Sequence, residues 1–170
     1  KVERLKGVGL LLALMPLMGL ADTESVDGIE WTYTVRDGQA QIGMNETAIP
    51  PETAGTIVIP ATLGGYPVTS VGAVAFSGCR HLTSVTLLEG VTSIGINAFS
   101  DCNELDSVTI PSSVTKIWQW AFLRCSSLKT VHVSNNGDIG AVKALMKASD
   151  KNNEKWIAAV DGFAFDHVNT

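Results

Sequence analysis

The sequence predicts a mostly β fold, a short solenoid in which parallel strands stack coil upon coil. The segment VTSVGAVAFSGC at 68–79 recurs as VTSIGINAFSDC at 91–102 and as VTKIWQWAFLRC at 114–125, so the interval is constant (91 − 68 = 23 and 114 − 91 = 23). Abundant Thr, Ser, Gly, Val and Ile favour strands and turns over long helices. With 170 residues, 45% of them hydrophobic, the chain has the size of one globular domain.

Eight apolar positions recur in each copy of the repeat. A single coil cannot bury its own apolar edge, so each side chain is expected to pack on its copy one coil away. The eight columns are Val68, Val91 and Val114; Val71, Ile94 and Ile117; Ala75, Ala98 and Ala121; Phe76, Phe99 and Phe122; Cys79, Cys102 and Cys125; Leu82, Leu105 and Leu128; Val85, Val108 and Val131; and Leu87, Ile110 and Val133.

Strands are expected where apolar and polar residues alternate, in LTSVTLL, LDSVTIP and LKTVHVS. Gly72 and Gly95 are expected to permit sharp corners on the other side of the coil. An earlier and longer coil contains Ile57, which matches Val85 at a larger offset (85 − 57 = 28). The excess over the regular interval is assigned to a surface loop at LGGYP.

The repeated pattern resembles the BspA-type leucine-rich repeats of bacterial surface proteins. The residues that carry the resemblance are SVGAVAFSGCRHLTSVTL, SIGINAFSDCNELDSVTI and KIWQWAFLRCSSLKTVHV, within residues 54–133. It implies a right-handed solenoid with parallel strands on one face and short irregular or strand-like segments on the other. Some members of the family are adhesins for host matrix proteins or other cells. The third copy departs from the pattern, with Trp118 where the others have Gly72 and Gly95.

The segment 1–21 is interpreted as a secretory signal peptide. A basic start, KVERLK, precedes the apolar run 7–21, with cleavage expected after Ala21. This run is shorter than the ~20 residues that a membrane-spanning helix requires. An N-terminal membrane anchor or a buried helix is the alternative.

Both ends of the solenoid are expected to carry caps. Residues 22–53 form the predicted N-terminal cap, with a β-hairpin of strands 31–36 and 39–43 joined by Asp37 and Gly38. Residues 134–170 form the predicted C-terminal cap. There Asp138 is expected to cap a helix, which a further turn and a final strand around 163–168 follow.

The charge balance disfavours polyanionic partners. Without residues 1–21 the chain has 9 Lys and Arg (12 − 3) against 16 Asp and Glu (17 − 1), a net charge of −7. Nucleic acids and anionic membranes are therefore not expected partners.

Cys79, Cys102 and Cys125 form one column, with three possible states. Neighbouring copies are ~4.8 Å apart, but parallel side chains leave their Cβ atoms farther apart than a relaxed disulfide prefers. Buried thiols are therefore expected; one strained disulfide and a metal site are the alternatives.

No cofactor, no resident metal and no enzymatic activity are expected. The chain has no nucleophile elbow, HExxH helix, phosphate-binding loop or dinucleotide fingerprint. Asp166 and His167 resemble half of a catalytic triad, but the segment offers no nucleophile.

Two sets of residues are candidates for ligand binding. The first is an outward row on the strand face, whose alternative role is a solvated surface rich in β-forming residues. The second is a pair of tryptophans that could anchor a protein or a sugar, or could pack on the C-terminal cap. The candidates are Ser84, Thr86, Ser107, Thr109, Thr130 and His132 on the row, and Trp118 and Trp120.

The sequence therefore predicts a secreted or cell-surface bacterial leucine-rich-repeat protein whose function is to bind an extracellular protein or glycan. The alternative is a structural or assembly module with no ligand of its own, which would self-associate weakly. The strand face alone offers roughly 250 Å², against ~800 Å² per partner in a standard protein interface. Binding through that face alone would be weak.

Overall fold

The computed structural model describes residues 20–134 and 137–169, so most of the predicted signal peptide lies outside the described residues. Most of the regular structure is strand, with two short helices in the C-terminal part. The elements are β1 (Asp22–Val26), β2 (Ile29–Arg36), β3 (Gln39–Ile42), β4 (Gly55–Val58), β5 (Thr62–Leu63), β6 (Tyr66–Val71), β7 (Leu82–Thr86), β8 (Ser93–Ile94), β9 (Ser107–Ile110), β10 (Lys116–Ile117), β11 (Thr130–Ser134), α1 (Ile139–Ala148), α2 (Glu154–Gly162) and β12 (Ala164–Val168).

Two sheets form the walls of a solenoid of about three coils. The first sheet has the order β1-β2-β3-β6-β8-β10, and the second has β12-β11-β9-β7-β4 with all neighbours parallel. In the second sheet Ser84 pairs with Ser107, which pairs with Thr130. This register repeats the spacing of the sequence and confirms the predicted parallel solenoid.

A stack of aromatic rings forms the centre of the core. The rings of Phe76 and Phe99 are parallel with centroids 4.9 Å apart, and those of Phe99 and Phe122 are 5.3 Å apart. Trp31 contacts the stack edge-on at one end, and Trp156 continues it at the other with a centroid 6.3 Å from Phe122. The predicted phenylalanine column is confirmed, and the two caps extend it.

The role predicted for Gly72 and Gly95 was wrong in its mechanism. Neither glycine has a φ in the left-handed region, so neither is required for a sharp corner. Instead, a Cβ at Gly72 would lie 1.5 Å from the Gly43 carbonyl oxygen, and one at Gly95 would lie 2.6 Å from the Gly72 carbonyl carbon. Gly72 and Gly95 are glycine because the backbone of the preceding coil leaves no room for a Cβ at these two positions, a constraint that does not extend to Trp118 of the third coil.

Left-handed residues turn the chain two and six positions beyond that glycine column. Val74, Asn97 and Trp120 have φ of 58°, 54° and 58° at equivalent positions. The second position is occupied by Gly78, Asp101 and Arg124, also with positive φ. The corner of each coil is therefore built mostly from residues with side chains, which the sequence analysis did not foresee.

The third coil keeps the hydrogen-bond register of the second although Trp118 replaces glycine. The Trp118 amide donates to the Ile94 carbonyl at 2.9 Å, as the Gly95 amide donates to the Val71 carbonyl at 2.9 Å. Trp118 therefore occupies the regular register of the solenoid.

The first coil is longer for the predicted reason. Ile57 pairs with Val85, as the larger offset between these two residues predicts. The extra LGGYP segment is a small hairpin, in which β5 pairs antiparallel with β6 through the left-handed glycines Gly64 and Gly65.

The N-terminal part contains the predicted hairpin and one further strand. β2 and β3 pair antiparallel across Asp37 and Gly38, and β3 pairs parallel with β6 of the first coil. β1 forms a second hairpin with β2 through Asp27 and Gly28, the same turn signal, which the sequence analysis had not used.

The C-terminal part begins with the predicted helix. The Asp138 carboxylate accepts a hydrogen bond from the Ala141 amide at the start of α1. The segment predicted as a turn is a second helix, α2, capped by Asn153. β12 then joins β11 in parallel and completes the second sheet. The exact boundaries of the predicted caps and repeats stay a prediction.

Candidate functional site

The predicted strand-face residues lie together on the outer surface of the second sheet. Ser84, Ser107 and Thr130 form one row across three strands, and Thr86, Thr109 and His132 form the next. β12 adds Asp166 directly beside His132, and the His132 Nδ1 atom is in hydrogen-bond contact with the Asp166 carboxylate.

This face offers less free surface than the sequence suggested. Thr109 points outward but is only 5% exposed, because Thr86 and His132 flank it in the central row. Ser107 donates a hydrogen bond to Ser84 at 2.9 Å. The face is therefore polar and partly satisfied by its own contacts.

Glu89 joins three successive coils at one end of the strand face. Its carboxylate accepts hydrogen bonds from the amides of Ser112 and Ser113 and from the Ser112 and Ser134 hydroxyls, at 3.0–3.2 Å. Partial burial raises the pKa of Glu89, but these hydrogen bonds outweigh it and lower the pKa below its ordinary value. Glu89 is therefore a structural tie between the coils.

A row of exposed apolar side chains follows the opposite sheet at the corner of the coils. Met44, Ile96, Trp118 and Trp120 are each 39–45% exposed. Met44 and Ile96 lie in one column with Ala73 between them, and Trp118 and Trp120 lie in the two flanking columns of the third coil. The Lys116 ammonium lies 3.5 Å from the centre of the Trp118 ring. We call these four residues the corner strip. Apart from Leu20 and Val58, it contains all the exposed large hydrophobic residues of the part of the chain described here.

The backbone conformation of Trp120 is costly for a bulky residue. Its φ of 58° lies in the left-handed region, which disfavours L-residues by about 1–2 kcal/mol, with Asn and Gly the usual exceptions. The second coil uses Asn97 at the same position. The third coil therefore keeps a large aromatic side chain, 45% exposed, where a smaller residue would be more stable.

Trp120 also forms one wall of a groove between the third coil and α2. The groove encloses about 200 Å³, and Phe122 and Trp156 line its apolar side. The Trp120 amide donates to the Ser149 carbonyl at 2.9 Å, which fixes the coil against the end of α1. The backbone of Trp120 is thus held by the C-terminal part while its side chain is half exposed, and its predicted role in binding stays a prediction.

Charges are unevenly distributed along the chain. Residues 114–156 contain seven of the 12 Lys and Arg and three of the 17 Asp and Glu, a local net charge of +4 (7 − 3). The remaining residues of 22–170 therefore carry −11 (2 − 13). The net charge of −7 averages these two regions, which a charge count in windows along the sequence separates.

The cysteine column consists of free, buried thiols. The Cys102 and Cys125 thiols donate to the Phe76 and Phe99 carbonyls at 3.0 Å. Burial raises the pKa of Cys79 to about 11 and that of Cys125 to about 12, and it also raises the pKa of Cys102. The thiols are free, as expected, and their burial disfavours the reactive thiolate form.

The suspected catalytic pair is not formed. Asp166 pairs with His132 across the two strands, whereas His167 lies 2.9 Å from the Gly137 carbonyl oxygen through its Nε2 atom. Among the described residues, no group of His, Cys, Asp and Glu is arranged to hold a metal ion, and neither helix has the length and hydrophobicity to span a bilayer.

Residues 56–146 match the model of the BspA-type leucine-rich repeat region, with six copies. The chain belongs to this family. Proteins of the family are generally non-catalytic. No curated protein matches the chain.

Three solved bacterial structures are similar to it. A leucine-rich repeat protein of Bacteroides capillosus is 27% identical, with a TM-score of 0.57, over 85% of this chain and 98% of that one. One of T. pallidum is 26% identical, with a TM-score of 0.54, over 61% of this chain. One of Bacteroides ovatus is 26% identical, with a TM-score of 0.50, over 65% of this chain and 31% of that one. The chain spans half the length of the T. pallidum protein.

Proposed function

We propose that this chain is a secreted or cell-surface binding module that attaches to an extracellular protein or glycan and catalyses no reaction. The observation that carries the proposal is the pair of half-exposed tryptophans in the third coil, at positions where the second coil has Gly95 and Asn97. Tryptophan is enriched among the residues that dominate binding energies. The family membership supports the surface location and the adhesive role.

The corner strip supports this function better than the strand face does. The strand face presents Ser and Thr side chains that are half-buried or hydrogen-bonded to each other, and its central residue Thr109 is covered. The corner strip instead presents apolar groups that water solvates poorly. Large apolar side chains that stay exposed on a folded protein are typical of interaction sites.

A panel of matrix proteins and glycans, probed with the full chain, tests the proposal. We expect at least one saturable ligand, with affinity reduced about tenfold by Trp118→Gly, the glycine that the second coil carries at this position. Val58→Thr removes an exposed apolar group at the edge of the strand face and serves as the matched control. It should leave the affinity unchanged.

The panel can also contradict the proposal. If Trp118→Gly binds as tightly as the wild type while Thr86→Lys loses binding, the strand face is the site. If no ligand binds and the apparent mass rises with protein concentration in light scattering, the chain is an assembly module.

A further inference from the structure

We infer that the groove between the third coil and α2 binds a single anionic sugar residue of a larger glycan. Its size fits one ring, since about 200 Å³ is less than the roughly 300–1,000 Å³ of typical small-molecule pockets. The inference rests on the proposed binding function and assigns it a ligand class and a position.

The apolar side of the groove suits the face of a sugar ring. Trp120 stands at one wall with its ring 45% exposed, and its backbone is fixed by the hydrogen bond to Ser149. Trp156 is held as well, because its indole N–H donates to the Met146 carbonyl at 2.7 Å and its ring stacks on Phe122. A rigid aromatic surface loses little conformational entropy when a ligand is placed against it.

Two cationic side chains indicate that the ligand is an anion. Arg124 and Lys155 both line the groove. Lys155 has no ion-pair partner among the described residues, and Arg124 pairs with Asp101 at 3.4 Å while 72% exposed. Such an exposed pair contributes little and can be exchanged for a ligand carboxylate. The surrounding segment 114–156 carries +4 in a chain of −5, so an anion is attracted to this end.

The third charged group of the groove selects a hydroxylated anion. Asp150 also lines the groove, and its carboxylate accepts one hydrogen bond from the Asn153 side chain at 2.8 Å. A bare phosphate or an apolar carboxylate would be repelled by Asp150. A uronic-acid ring suits both the positive and the negative side chains, since its carboxylate pairs with Arg124 and Lys155 while a ring hydroxyl donates to Asp150.

Other polyanions fit the same surface less well. Lys143 and Lys147 are both paired with Asp161, and Lys129 is paired with Asp106. These are three of the seven cations of segment 114–156, and their pairing disfavours binding along a nucleic-acid backbone.

The test compares tetragalacturonate with its methyl ester, which has the same rings and no charge. Titration of the full chain should quench tryptophan fluorescence with the acid, and the ester should bind at least tenfold more weakly. The affinity for the acid should fall with added salt, because partly exposed charges are screened. Trp120→Asn, which copies the second coil, and Lys155→Gln should each weaken binding, by about tenfold and about threefold.

Two controls separate this site from its surroundings. Lys129→Gln removes an exposed charge of the same coil away from the groove, and Lys143→Gln removes a charge of α1 that does not line it. Both should bind tetragalacturonate as the wild type does. If the methyl ester binds equally, if Trp120→Asn has no effect, or if only an oligonucleotide binds, the inference is wrong. A matrix ligand that depends on Trp118 but not on Lys155 would then still support the proposed function.

Discussion

The second and third coils have the same backbone and the same core, yet their outer surfaces differ. Inside, Phe99 and Phe122 belong to one parallel stack, and both coils hydrogen-bond to the preceding coil in the same register. Outside, Gly95 and Asn97 of the second coil correspond to Trp118 and Trp120 of the third. Packing therefore determines the inner columns, while the outer corner is free to acquire large side chains for another purpose.

The largest loss of stability is expected from substitutions in the aromatic stack that the two coils share. Phe99→Ala should lower the free energy of unfolding by about 3–5 kcal/mol, because it leaves a cavity between two stacked rings. Phe122→Ala should cost a similar amount, since Trp156 covers its other side. Denaturant unfolding measures both values. A loss below about 1 kcal/mol at either site would contradict the continuous core.

The difference between the outer surfaces of the two coils can be tested at Gly95, where the third coil has Trp118. Gly95→Ala places a Cβ 2.6 Å from the Gly72 carbonyl carbon and 2.7 Å from the Ala73 nitrogen. We expect a loss of about 1–3 kcal/mol from overpacking. Gly162→Ala, at the end of α2 where a Cβ meets nothing within 4 Å, is the control and should be neutral or slightly stabilising. Equal effects of the two changes would show that the coils are not in close contact at Gly95.

The cysteine column tests whether both coils stay closed in solution. With a pKa of about 11, Cys79 is ionised in roughly one molecule in a thousand at pH 8. Iodoacetamide should therefore modify none of the three thiols of the folded chain at pH 8, and all three in denaturant, as mass spectrometry would record. Rapid labelling of Cys125 alone would show that the third coil opens where the second does not.

The same thiols give a pH dependence. Their folded pKa values lie above the 9.0 of an ordinary thiol, so their contribution to stability is complete below pH 9 and is lost as the pH rises through about 11.

The smallest expected effect is at Glu89, which ties the coils together. Its folded pKa is lowered, so the stability it adds is present above the unfolded pKa, about 4.5, and is lost as the pH falls through the folded value. Glu89→Gln should lower the Tm at pH 7 by a few degrees at most, and the difference from wild type should shrink as the pH falls below about 4.5. Ser126→Ala, which affects another hydrogen bond between the coils, should show a pH-independent difference. A difference that persists unchanged at pH 3 would contradict a charged tie.

Most of the fold was predictable because the repeat reports contacts between copies. Eight columns recur only if each side chain meets its own copy, so the stack and the strand register follow from spacing. The role of Gly72 and Gly95 was misinterpreted because the repeat spacing is the same whether a glycine is required for its φ or for its lack of a Cβ. α2 was missed because it occurs once and has no repeat to support it. The groove could not be predicted, since α2 forms one of its sides.

The central claim is that the third coil retains the solenoid and exposes its two tryptophans for binding. The most direct measurement combines denaturant unfolding with the affinity for a panel ligand, in wild type and in the double variant Trp118→Gly/Trp120→Asn. The account predicts that the free energy of unfolding stays within about 1 kcal/mol of wild type, because Asn suits the left-handed position, while the affinity falls at least tenfold. Unchanged affinity, or unfolding of the variant chain, would contradict it.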